Sequence, residues 1–208
     1  MKAAVLLAGG SGTRLGTRPK CLLELDGVPL IRRQLQALAD AGIERIAVVT
    51  GHHAEHIEPV LRGLAVTLVR NLRPEEGQTS SQRTGLAALS GPLDAVLVAL
   101  ADQPLIDAQD VRMLLEAWER RPPGVAVVYP EVGGARGNPV IFSASVRDAI
   151  LAGRPDFGCR QWQAAHPEAV MAFATDNPHY RLDIDTPEDL ARFTRETGRA
   201  LRWPEGSA

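Results

Sequence analysis

Two cysteines in 208 residues are too few for a disulfide framework, and Cys21 and Cys159 stand too far apart for a CxxC pair or a zinc-ligand spacing. That scarcity fits a reducing compartment and predicts a cytoplasmic protein. Charge of one sign is also lacking, since 23 Lys and Arg face 25 Asp and Glu for a formal net charge of -2. No basic field invites nucleic acid, and no polybasic run invites an anionic membrane. Long hydrophobic runs are missing too. The longest, residues 95–101, falls far below the roughly 20 residues that cross a bilayer, and the apolar run after Lys2 is too short for the core of a secretory signal. There is no internal repeat and no GxxxxGK[ST], which excludes an ordinary P-loop.

What remains is a chain with 45% apolar residues, enough for one domain to bury a large core unaided. Short apolar runs alternate with segments of helical period, the pattern of strands covered on both faces by crossover helices, so the fold class is α/β. Strands are predicted at 3–7, 45–49, 66–69, 95–99 and 125–129, with an edge strand at 139–142 and another at 170–174. A helix over 29–41 stops at Gly42. A second over 107–120 is capped by Asp107, and a last one starts at Pro187 behind Thr186. The domain is expected to run over 1–197, with 198–208 a loosely held tail.

The chemistry gathers in a few places. After the first strand, Leu7, Ala8, Gly9, Gly10, Ser11, Gly12 and Thr13 form a turn whose backbone N–H groups can approach phosphate oxygens, with Arg14 and Lys20 supplying cations. The same glycines also suit a plain tight turn. A dinucleotide site fits less well, because the third glycine is displaced to Gly16 and the second strand ends on Thr50-Gly51 without a ribose-binding acid. Asp102, at the end of the strand before Gln103-Pro104, is placed to hold Mg²⁺, which takes oxygen ligands. Asp183 and Asp185 share one face of an extended segment, and Asp185 is either a second metal carboxylate or a cap of the last helix. Ser80 and Ser81 open a helix as caps or as contacts to the nucleotide. His52, His53 and His56 carry no accompanying metal-ligand pattern and are expected to face solvent from a helix.

The stretch Leu7 to Gly16, followed by Pro19-Lys20 and by Leu25-Asp26-Gly27-Val28-Pro29-Leu30, resembles the nucleotide-binding signature of the NTP-transferase superfamily. With Gly77 through Ser81 to Gly85, Leu100-Ala101-Asp102-Gln103-Pro104, Gly134 to Pro139 and Asp183 to Leu190 in that order, the chain is similar over residues 3–195 to the molybdenum cofactor nucleotidyltransferases, above all the cytidylyltransferase branch. Leu7-Ala8-Gly9-Gly10 itself is nearer to the guanylyl-transferring relatives, so the base stays open between CTP, which is favoured, and GTP. The resemblance implies a single-domain Rossmann-like three-layer sandwich with a mostly parallel mixed sheet. It also implies an NTP held by the glycine loop, Ser80, Ser81 and Gly85, with Arg14, Lys20 and Asp102 as the catalytic set and Mg²⁺ on Asp102 and Asp185. A small phosphorylated acceptor would then meet Arg136 and Asn138, and a molybdoenzyme or chaperone would receive the product.

Overall fold

A computed structural model describes residues 1–204 of the chain. The strands are β1 (Lys2–Leu7), β2 (Glu24–Leu25), β3 (Val28–Pro29), β4 (Arg45–Thr50), β5 (Thr67–Arg70), β6 (Ala95–Leu100), β7 (Val127–Val132), β8 (Ala135–Arg136), β9 (Val140–Ser143), β10 (Val170–Ala174) and β11 (Leu201–Arg202). The helices are α1 (Leu30–Asp40), α2 (Ala54–Ile57), α3 (Gln78–Ala88), α4 (Ala108–Glu119), α5 (Ala144–Ala152), α6 (Cys159–Ala165) and α7 (Pro187–Thr197). The main sheet runs β10-β7-β9-β6-β1-β4-β5, with β8 attached to β7. The expected three-layer α/β sandwich and mostly parallel sheet are present.

Alternation along the central strands sorts the core into two layers. Ala4 and Leu6 of β1 point into a cluster with Leu35 and Leu38 of α1 and Val111 and Leu114 of α4. Ala3, Val5 and Leu7 point the other way, toward Leu86 of α3, Ile150 of α5 and Trp162 of α6. A third cluster joins Leu23, Leu25, Leu182, Ile184 and Phe193 beside the end of the sheet. α4 begins with the expected Asp107 cap, whose side chain accepts from the N–H groups of Gln109 and Asp110. α7 begins with Thr186 as cap and Pro187 in its first turn, and Asp189 completes a capping box.

Three expectations change. The strand at 139–142 is not an edge: β9 lies between β6 and β7, antiparallel to both. Pro139 stands just before the strand begins, so its missing N–H costs the ladder nothing. Because β9 runs backwards, its first residues arrive where the parallel strands end, which brings Asn138 toward the ligand side. Within the tail, Leu201 and Arg202 pair with Leu25 and Glu24 in a small antiparallel sheet with β3, and Trp203 packs on the third cluster. Residues 198–204 are therefore partly tied down by pairing and burial, while 205–208 lie outside the described residues. The histidines, finally, do not share a helix face. His53 is buried, and His52 precedes α2 on a turn.

Gly85 belongs to packing. A Cβ there would sit 2.4 Å from Val5 Cγ1 and 2.7 Å from Val49 Cγ2, so α3 lies on the sheet at a distance only glycine allows. Gly85→Ala is expected to lose about 1–3 kcal/mol, overpacking outweighing the gain in helix propensity. Urea denaturation measures it, and a stabilised variant would show that the spacing is not set there.

Candidate active site

A cavity of about 800 Å³ opens at the C-terminal ends of β1 and β6, the crevice where open α/β sheets place ligands. Its volume lies within the range of small-molecule and cofactor sites. Leu7, Ala8, Gly9, Gly10 and Ser11 line one wall. The loop is anchored at both ends. Ala8 N–H donates to the Val49 carbonyl at 2.8 Å, and the His53 ring meets the Ser11 carbonyl through Nε2, also at 2.8 Å. His53 is thus a satisfied buried histidine bracing the loop. Gly12 adopts a left-handed φ of 61° and packs so closely that a Cβ would lie 1.9 Å from the Arg18 carbonyl oxygen. That contact folds residues 12–18 back on themselves and delivers Lys20 to the cavity.

Lys20 is the centre of the charged cluster. Its Nζ donates to Asp102 Oδ2 at 2.6 Å and to Asp185 Oδ1, while Arg14 donates to Asp185 Oδ2 at 2.6 Å. Burial would lower the Lys20 pKa, yet the Asp102 charge and the bonds to both carboxylates outweigh it and raise it. Burial likewise pushes Asp185 up, but Lys20 and then Arg14 hold it below the usual carboxylate value. Asp183, on the same wall, is raised by burial and by the Asp102 charge. Nearby Cys21 is pushed up to about 12, chiefly by burial, and is no nucleophile. Both cations expected on phosphate are therefore engaged with carboxylates in this structure.

The remaining expectations divide. Asp102, Asp185, Lys20, Arg136, Asn138, Ser81 and the loop from Leu7 to Ser11 line the cavity together. Gly12 and Thr13 shape the loop's return rather than the wall, and Arg14 reaches the cluster from outside. Neither Ser80 nor Ser81 caps α3, whose N-cap is Gly77. Ser81 Oγ accepts from Asn71 Nδ2 at 3.0 Å on the cavity side, and Ser80 Oγ turns toward Asn71 Oδ1. Gly85 does not reach the cavity.

Other residues meet there that the sequence did not single out one by one: Gln78, Thr79 and Gln82, within the Gly77-to-Gly85 stretch on the first turns of α3, and, with no sequence signal at all, Cys159 and Arg160 from α6. Only the topology brings the two helices to one wall. A buried polar pin fixes the acidic segment behind them. Gln103 Nε2 and the Asn138 N–H donate to the Tyr180 carbonyl at 3.1 and 2.8 Å, the Tyr180 hydroxyl donates to the Asp110 carbonyl, and the Ile184 N–H donates to the Asp102 carbonyl at 3.1 Å.

This geometry agrees with the outcome of comparison with known proteins, in which the model of the MobA-like NTP transferase domain matches residues 4–183. The chain belongs to that family. It is similar to the molybdenum cofactor guanylyltransferase of a Shewanella species, 30% identical over 95% of this chain and 97% of the relative. It is also similar to nicotine blue oxidoreductase of Paenarthrobacter nicotinovorans, 29% identical over 91% and 94%. The bifunctional protein GlmU of Syntrophomonas wolfei is 33% identical over 57% of this chain, which spans only 26% of that longer relative. A crystallised nucleotidyl transferase from Methanothermobacter superposes with a TM-score of 0.75 at 27% identity, covering 94% of this chain and 97% of the other. Among the described residues no helix is long and apolar enough to cross a membrane.

Proposed function

We propose that this chain is a divalent-metal-dependent nucleotidyltransferase that moves CMP or GMP from the NTP onto a small phosphorylated acceptor, molybdenum cofactor first among candidates, with release of pyrophosphate. The observation that carries this reading is one cavity uniting the glycine loop with the Lys20, Asp102 and Asp185 cluster.

The residues present suit a hard cation. Asp102 Oδ1 is buried without a hydrogen-bond partner, although such an atom ordinarily costs about 1–3 kcal/mol. Asp102 and Asp185 would hold Mg²⁺, which when bound supplies charge neutralisation at the phosphates. The protein does the rest by positioning. The N–H groups of the glycine loop orient the triphosphate, and Lys20 and Arg14 exchange carboxylate oxygens for phosphate oxygens as the nucleotide enters. An acceptor phosphate oxygen attacks the α-phosphorus in line while the bond to the β-phosphate bridging oxygen breaks and pyrophosphate departs. Being already ionised, that oxygen needs no strong base, so catalysis rests on alignment and electrostatics.

The test is pyrophosphate release with Mg²⁺, CTP and GTP supplied separately, against molybdenum cofactor and a panel of sugar and choline phosphates. Release with one base and molybdenum cofactor is the expected result; release with a sugar phosphate alone would move the acceptor. The oxidoreductase relative motivates a second reading, hydride transfer, and NAD(P)H oxidation without pyrophosphate release would favour it.

A further inference from the structure

α2 is a single helical turn, and it brings an acid beside two histidines. His53, Glu55 and His56 each offer a ligand atom within 4.8 Å of the other two. His56 Nδ1 already lies 3.1 Å from Glu55 Oε1. Two ligands on one zinc ion, each about 2.0–2.1 Å from the metal in a tetrahedron, stand about 3.3 Å apart. That pair needs almost no movement, and the two side chains, 64% and 63% exposed, have room to close on a third ligand.

His53 is the rigid member, 9% exposed, and its chemistry is already set. A carbonyl oxygen can only accept, so the 2.8 Å contact of Nε2 with the Ser11 carbonyl puts the proton on Nε2 and, in the neutral ring, leaves the lone pair on Nδ1. A metal-bound imidazole is ordinarily fixed in this way, with one ring nitrogen on the ion and the other donating to a carbonyl or carboxylate. Neighbouring groups do not extend the set. Glu58 is occupied, accepting from Arg70 Nε and Nη2 at 2.9 and 2.8 Å and from the Thr50 hydroxyl at 3.0 Å. His52 lies outside the cluster and lines the cavity instead.

We propose that His53 Nδ1, Glu55 and His56 form a binding site for a borderline d-block cation of the Zn²⁺ class, with a fourth position left to water. Two imidazoles and one carboxylate suit such an ion, whereas Mg²⁺ takes oxygen ligands, so the site differs in chemistry from Asp102 and Asp185. Its occupant grips the ring that carries the Ser11 end of the glycine loop. Nothing in the site depends on the transfer reaction.

Zn²⁺ is the probe, titrated calorimetrically into the full chain in excess Mg²⁺, which occupies oxygen-only sites. Co²⁺ serves as the spectroscopic arm. Wild type is expected to bind one Zn²⁺ and to give Co²⁺ the intense visible bands of a four-coordinate site. Glu55→Gln and His56→Ala, both at exposed positions, should each weaken Zn²⁺ about tenfold or more without altering the melting temperature of the metal-free protein. His53→Gln keeps an N–H donor for the Ser11 carbonyl but removes the Nδ1 lone pair, and should weaken Zn²⁺ to the same degree. His52→Ala should bind Zn²⁺ as wild type does. No Zn²⁺ binding by wild type, unchanged affinity in Glu55→Gln and His56→Ala, or the pale spectrum of six-coordinate Co²⁺ would overturn the proposal. An equal loss in His52→Ala would do so too, by moving the ligands off the His53 ring.

Discussion

Asp102→Asn should fold as wild type does and turn over NTP about a hundredfold or more slowly, the loss typical of removing one well-placed electrostatic contact, about 2.7–4 kcal/mol in the barrier. The substitution keeps shape and one neutral oxygen but removes the charge beside Lys20 and the buried Oδ1 that has no protein partner. Steady-state pyrophosphate release across a Mg²⁺ titration measures it, with far-ultraviolet circular dichroism confirming the fold. Near-normal turnover at all metal concentrations would take Asp102 out of the reaction.

Lys20→Met is expected to cost a comparable factor, about a hundredfold in turnover, for a different reason. The ammonium bridges Asp102 and Asp185, and both lie on one wall with Asp183. Without it, three carboxylates share the wall with Arg14 as their remaining cation contact, and the repulsion raises their proton affinity. The variant should therefore lose NTP affinity as well as turnover and should improve less with added Mg²⁺ than Asp102→Asn does with added NTP. Binding of a non-hydrolysable analogue separates the two effects, and unaltered analogue affinity would restrict Lys20 to holding the acids in place.

Much of the fold was legible because its strands are buried on both faces. The runs at β1, β4 and β6 contain little but Ala, Val, Leu and Ile, and no surface element could tolerate them. Asp107 and Thr186 were legible as caps because capping is decided within four residues of sequence. β2, β3 and β11 were not, since a two-residue strand has no period to read. The interior place of β9 escaped because Pro139 suggests an edge, and only the ladder shows that the proline precedes the pairing. Gly85 looked like one more phosphate glycine. Its role depends on Val5 and Val49, some eighty and thirty-six positions away, and nothing local reports their distance. The charged cluster was visible as separate acids and bases, but that Lys20 and Arg14 pair with those acids is a fact of three dimensions.

The three tryptophans are placed unequally. Trp118 and Trp162 are buried within the two main layers, whereas the Trp203 ring lies 4.0 Å from the Arg18 guanidinium carbon. Arg18 sits in the return between the glycine turn and Lys20, where its carbonyl abuts Gly12. An indole stacked there converts any shift of that return into a change in emission intensity. The chain thus carries an intrinsic optical gauge beside its phosphate loop, and replacing Trp203 by phenylalanine supplies the blank against which the other two indoles can be subtracted.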